Sequence, residues 1–141
     1  MNIEAVIEQW EADEARVRAR LIDPGTALPA QVAGRTGLQV FEAIFAGELP
    51  PPPMGETLDF VPIHIAPGEA VFQGRPRHRH YNPLGTVHGG WFATLLDTAV
   101  GCAVHAGRQV ATAEGRIVGP DGKLYAHATT TCLIFDERAP G

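Results

Sequence analysis

Apolar positions along this chain change their spacing three times. Over the first twenty residues Ile3, Val6, Ile7, Trp10, Val17 and Leu21 recur every three or four positions among Glu, Asp and Arg, which predicts a half-buried helix. Glu14 interrupts its apolar stripe, and Asp23, Pro24 and Gly25 end it. Leu38, Phe41, Ile44 and Phe45 form a shorter stripe before Gly47, with Thr26 or Thr36 as its candidate cap. Pro50, Pro51, Pro52 and Pro53 lack amide hydrogens and predict a stiff arm that carries the N-terminal helices across the surface. From Glu56 the spacing falls to two. Leu58 and Phe60 alternate, then Ile63 and Ile65, with Pro62 at a bulge or an edge. Ala66 to Glu69 turns the chain and Ala70, Val71 and Phe72 return it, which makes a hairpin.

The stretch YNPLGTVHGGWFATLLDTAVGCAVH, Tyr81 to His105, then runs apolar from Gly90 to Val104 with Asp97 as its single charged side chain. It contains no proline after Pro83 and too few polar groups for a wet face, so it predicts a helix covered on all sides. Arg108 to Val118 reads as a strand, Pro120 to Lys123 as a turn and Leu124 to Phe135 as a long return strand. An antiparallel sheet with one buried helix is an α+β domain. Two hairpins supply about four strands, too few to wrap a buried helix of four turns. His105, Ala106, Gly107 and Arg108 also join helix to strand almost without a loop. Either another chain completes the sheet or material is missing at this point.

Chemistry concentrates in the same stretch. A lone carboxylate among Leu95, Leu96 and Val100 must be hydrogen-bonded, neutralised or turned towards a cleft, and burial there would raise its pKa. Gly89 and Gly90 sit at or just before the first turn, where the amides have no acceptor within the helix and are able to hold an anion or a developing oxyanion. Gly90 and Asp97 lie roughly 10 Å apart along the axis, too far to hold one carbon. A symmetric pair of such helices would bring one subunit's Gly90 towards the other's Asp97. His88 either touches a reacting group or caps the helix through a ring nitrogen. Asn82 either binds a water or makes the turn before Pro83.

Composition narrows the classes. The chain has 141 residues, a formal net charge of −5 and 45% apolar residues, which describes one folded domain and argues against non-specific binding of nucleic acid or anionic membrane. Arg75, Arg77 and Arg79 stand with His78 and His80 in a basic island that suits phosphate groups better than DNA. Cys102 and Cys132 sit in apolar runs and read as buried free thiols. Six histidines are present, and His78 and His80 would share one face if extended, yet no carboxylate or thiol follows them at ligand spacing, so no metal is expected. The N-terminus shows no secretory pattern, and Asp97 breaks the longest apolar run, so a cytoplasmic protein is expected.

Asn82 to Asp97, NPLGTVHGGWFATLLD, resembles the signature of hotdog-fold acyl-CoA thioesterases of the phenylacetate-degradation type. GELPPPPMGETLDF and APGEAVFQG resemble the family's front half, and GRQVATAEGRIVGPDGKLYAHATTTCLIF its final hairpin. The resemblance implies a curved antiparallel sheet wrapped around the long helix, here in residues 54–141, behind a helical extension and proline-rich arm in 1–53. It implies a homodimer or dimer of dimers with active sites at the subunit boundary, a coenzyme A thioester as substrate, hydrolysis to acid and free thiol, and no cofactor. Asp97 would attack or activate water, Gly90 would offer the oxyanion amide, and Asn82 and His88 would orient thioester and water. Trp91, Phe92 and Tyr81 suggest an aryl or medium-chain acyl group. A lyase hydrating an enoyl thioester, or a non-catalytic shortened protein, are the alternatives. Relatives carry a further loop and strands between the helix and the segment like GRQVATAEG, and near 105–108 that block is absent here. With it go a strand expected to pair across the dimer and a Ser or Thr often found near the catalytic carboxylate.

Overall fold

The computed structural model describes residues 2–103 and 110–133. Helix α1, Ile3–Arg18, starts at Asn2, whose side chain accepts from the Glu4 and Ala5 amides. A short turn α2, Pro29–Val32, leads to α3, Gly37–Phe45, which Thr36 caps in a reciprocal box with Gln39. Of the two cap candidates, Thr36 is the one that lies before a periodic apolar run. Ala43, Ile44 and Leu49 are buried beneath α3 and pack with Leu21, Val40 and Phe41.

Pro53 opens a further helix, α4, Pro53–Leu58. Its fixed φ suits a first helical position, so the extended arm stops at Pro52 and Leu58 belongs to a helix and not to the strand. Asp59 closes α4 with φ 55°, a left-handed conformation that few residues other than glycine adopt. Strands β1, Phe60–Ala66, and β2, Glu69–Gly74, form the expected antiparallel hairpin, with the register shifting between Pro62 and His64. A single 3-10 turn, His78–His80, follows.

Helix α5, Gly89–Ala103, is the spine. Both hairpins pack on it: β1 with β2, and β3, Val110–Val118, with β4, Leu124–Leu133. Their meeting is close enough to select glycine twice. A Cβ on Gly74 would lie 2.9 Å from Trp91 Cζ2, and one on Gly115 would lie 2.7 Å from Val100 Cγ1. Phe60, Trp91 and Leu95 form the buried centre of this second core, joined by Phe72, Phe92 and Ile117. Trp91 is pinned further, donating from Nε1 to the Leu58 carbonyl at 2.7 Å and stacking on His80.

Two expectations change. The helix is not covered on all sides: Trp91, Leu95, Leu96 and Val100 are buried, while Gly89, Gly90, Ala93, Asp97 and Gly101 are exposed. The exposed stripe is made of glycine and alanine, which count as apolar in a sequence yet bring little surface to bury. Nor do the four strands join into one sheet. They remain two separate two-stranded ladders, and a groove of about 600 Å³ runs between β2 and β3 over the inner face of α5. The junction His105 to Arg108 and the strand's expected end at Ile134 and Phe135 lie outside the described residues.

Candidate active site

The loop before α5 is organised by Asn82. Its Oδ1 accepts from the amides of Leu84 at 2.9 Å and Thr86 at 3.3 Å, and its Nδ2 donates to Thr86 Oγ1 at 2.8 Å. The backbone closes the same loop, with the Asn82 amide donating to the Thr86 carbonyl. Thr86, which the sequence did not single out, is therefore the partner that holds Asn82. In this state the Asn82 side chain holds the turn that contains Pro83.

His88 stands at the start of α5, tied back to the basic island by its amide, which donates to the His80 carbonyl at 2.8 Å. Its Nδ1 accepts from the Gly90 amide at 2.9 Å, and the His88 carbonyl accepts from Trp91. Nδ1 is thus unprotonated here, with the ring proton on Nε2. The imidazole occupies the place on the Gly90 amide that a carbonyl oxygen would take.

Two turns further along, Asp97 lies on the exposed stripe of the same helix. It lines a shallow groove of about 470 Å³ together with Gly89, Phe92 and Ala93 of α5 and residues of β4 from Ala126 to Thr130. The burial expected around Asp97 is absent from the single chain, because Leu95, Leu96 and Val100 point into the core while Asp97 points away from it. β4 forms the groove's opposite wall. Its contribution was hidden in the sequence, where Ala126 to Thr130 reads only as alternation within a strand.

Cys102, one turn beyond Thr98, is half-buried, and burial, followed by the charge of Asp97, pushes its thiol up to about 11. It stays protonated near neutrality and is a poor nucleophile. Glu114 meets Arg116 and His127, but the register places all three away from α5: Gly115 and its partner Ala128 face the helix, so their neighbours face outward.

Two arginines of the basic island are committed to carboxylates. Arg75 Nε donates to Glu14 at 2.7 Å and its Nη1 to Glu11 at 3.2 Å. Arg77 Nε donates to Asp59 at 2.7 Å, and Arg18 bridges Glu14 and Asp59 at 2.8 and 2.9 Å. Arg79 Nε reaches His80 Nε2 at 3.1 Å. Burial works to raise the Glu14 and Asp59 carboxyls, yet their guanidinium partners outweigh it, and both are held below the usual carboxylate range. The structure thus brings Gly90 and His88 together at one end of α5. It leaves Asp97 on the open face further along, and sets Arg75 and Arg77 in a carboxylate network with α1 and Asp59, with Arg79 on His80.

No family model matches the chain, and none of the curated proteins matches it. Solved structures do. A mutant of the phenylacetic acid degradation protein PaaI from Thermus thermophilus is 29% identical, with 56% of this chain and 96% of that one covered and a TM-score of 0.53. The TT0310 protein from the same organism is 30% identical, with 56% of this chain and 94% of that one covered and a TM-score of 0.52. Both are hotdog folds, and nearly their whole length is met by little more than half of this chain. The central helix and the antiparallel hairpins packed on it agree with that match: the chain belongs to the PaaI-like hotdog family, as a shortened member with an N-terminal helical extension.

Proposed function

We propose that the protein hydrolyses an acyl-CoA thioester to a free acid and coenzyme A, at a site shared by two copies of the chain. Asp97 carries the reading: it is a carboxylate on the exposed face of the central helix, at the edge of an open groove, on the same stripe as the Gly90 amide. Thioester hydrolysis needs an attacking oxygen and a donor for the charge that develops on the carbonyl. Asp97 supplies the first, either directly or by taking a proton from water, and covering by a second copy gives it the desolvated surroundings that strengthen a base. Gly90 supplies the second, a donor typically worth about 3 kcal/mol. The thiolate leaves without a strong acid. His88 gives up the Gly90 amide to the incoming carbonyl oxygen, and Asn82 positions the loop or the water. Arg77 and Arg79, both exposed, are the phosphate contacts, Arg77 on leaving Asp59, with Arg75 joining them on leaving Glu14. The acyl group, aryl or medium-chain, lies against Phe92.

Two inactive variants test both chemistry and sharing. Asp97→Asn removes the base, and Gly90→Pro removes the amide hydrogen at a helix position that tolerates proline. Each is expected to lower release of free coenzyme A from phenylacetyl-CoA or octanoyl-CoA by about a hundredfold or more with circular dichroism unchanged. Unfolded and remixed in equal amounts, they should recover about a quarter of wild-type turnover, since half the dimers then hold one intact site of two. Wild-type turnover in Asp97→Asn would end the assignment. Inactive singles with no recovery on mixing would leave the chemistry but remove the sharing.

A further inference from the structure

We propose that His80 is a positioning residue for the reaction, setting the place and direction of the Gly90 amide from the end of α4. The inference rests on the reading of that amide as the donor to the thioester oxygen. Glu14 and His80 are the buried polar side chains among the described residues. Glu14 fastens α1, whereas His80, only 7% exposed, lies between α4 and the turn that opens α5. A buried ring with two polar atoms is costly unless both are paired. Here Nδ1 accepts from the Arg77 amide at 3.0 Å and is therefore unprotonated, so Nε2 carries the ring proton and donates to the Thr57 carbonyl at 3.1 Å. In this tautomer the Arg79 Nε beside Nε2 finds no lone pair there.

The end of α4 is the fixed point. The last carbonyls of a helix have no donor within it, and three in succession are met here by the segment that leads into α5. Thr57 accepts from His80 Nε2, Leu58 from Trp91 Nε1 at 2.7 Å, and the cap Asp59 from the Arg75 amide at 2.9 Å. From His80 the connection reaches Gly90 on both sides. The His80 carbonyl accepts from the His88 amide at 2.8 Å, and His88 Nδ1 in turn holds the Gly90 amide at 2.9 Å. The His80 ring also lies over that of Trp91, the residue after Gly90, with centroids 6.5 Å apart and planes 26° from parallel. An incoming carbonyl oxygen displaces only the last link, the His88 ring. The bond from His80 to the His88 backbone and the contact with Trp91 remain, and they keep the freed N–H aimed. A phenyl ring would fill the same volume and meet Trp91 as well, so what the imidazole adds is direction. A misplacement of about 1 Å at a reacting group costs up to about a hundredfold in rate, so losing that direction is read in kcat.

His80→Phe keeps a ring and removes both nitrogens, and His80→Gln restores a donor for the Thr57 carbonyl. Both are assayed in the full chain with octanoyl-CoA, below their thermal transitions and per folded molecule. His80→Phe is expected to lower kcat by about tenfold or more with KM within about twofold of wild type, and His80→Gln to regain at least about a third of the wild-type kcat. The Gly90 amide resonance should move in His80→Phe and return towards its wild-type position in His80→Gln. Should His80→Phe fail to fold, His80→Asn takes its place with the same expectations, since it keeps an acceptor for the Arg77 amide but is too short to reach Thr57. A side chain that served packing alone would lower the thermal transition and the folded fraction and leave kcat per folded molecule unchanged, which overturns the proposal. An unmoved Gly90 resonance, or equal losses in the Phe and Gln variants, overturns it too. With Asp97→Asn inactive, a wild-type kcat in His80→Phe removes the positioning role and leaves the hydrolase reading. A wild-type chain that releases no coenzyme A overturns both.

Discussion

At Glu14 two guanidiniums from distant parts of the chain converge on one carboxylate that is only 7% exposed. In the sequence this residue looks like a flaw in an apolar stripe. Its partners, Arg18 one turn away and Arg75 across the fold, turn the flaw into the contact that fixes α1 against β2, reinforced by Gln73, which donates to Glu14 and to the Trp10 carbonyl. Glu14→Gln is expected to lower stability by about 2 kcal/mol in thermal or urea unfolding, less than for a fully buried pair because both guanidiniums remain well exposed. The sign with pH follows from the depressed carboxyl. Its stabilising effect is complete above the unfolded-state range and is lost as pH falls through the lower folded value, so the gap between wild type and Glu14→Gln should close below the ordinary glutamate value of 4.5. A gap that persists at low pH would show that packing and not charge holds α1. The sequence offered His88 either a catalytic place or a cap, and the cap is the arrangement present, because Nδ1 lies 2.9 Å from the Gly90 amide.

Elements were legible where local chemistry decides them. Thr36 with Gln39 announces the start of α3, Pro62 the irregularity in β1, and the alternation through Val71 and Phe72 the return strand. Legibility stopped where the outcome depends on what lies opposite. Gly89, Ala93 and Gly101 lie on the open face of α5 with Asp97, but their composition is that of a buried helix, and Pro53 opens a helix although it ends a run suited to an extended arm. Gly115 could not be told from a flexible glycine, yet it is where β3 comes closest to the helix, with 2.7 Å from its missing Cβ to Val100 Cγ1 and 3.1 Å to Leu96 Cδ2. Gly115→Val is therefore expected to cost about 2 kcal/mol through overpacking. The methyl resonances of Leu96 and Val100 should shift while those of α3 stay in place.

The molecule as a whole leaves much of its central helix uncovered, and among its described residues no helix is long and apolar enough to cross a membrane. Under the proposed pairing, the stripe through Ala93, Asp97 and Gly101 lies against a second copy. Ala93→Arg on that stripe should weaken self-association by at least about tenfold in sedimentation equilibrium, since a bulky cation at the centre of an interface must be desolvated. An unchanged dimer would place the contact elsewhere. The pair of hairpins has a consequence for motion. Among the described residues they share a spine and no rung of backbone hydrogen bonds, so a change in the angle between them rearranges side chains at Gly115, Leu96 and Val100 and leaves both ladders intact. A continuous sheet would have to tear a row of bonds to make the same movement. Low-cost hinging about α5 is thus built into the topology, and in deuterated water the outward amides of β2 and β3 should exchange early while those inside each ladder persist.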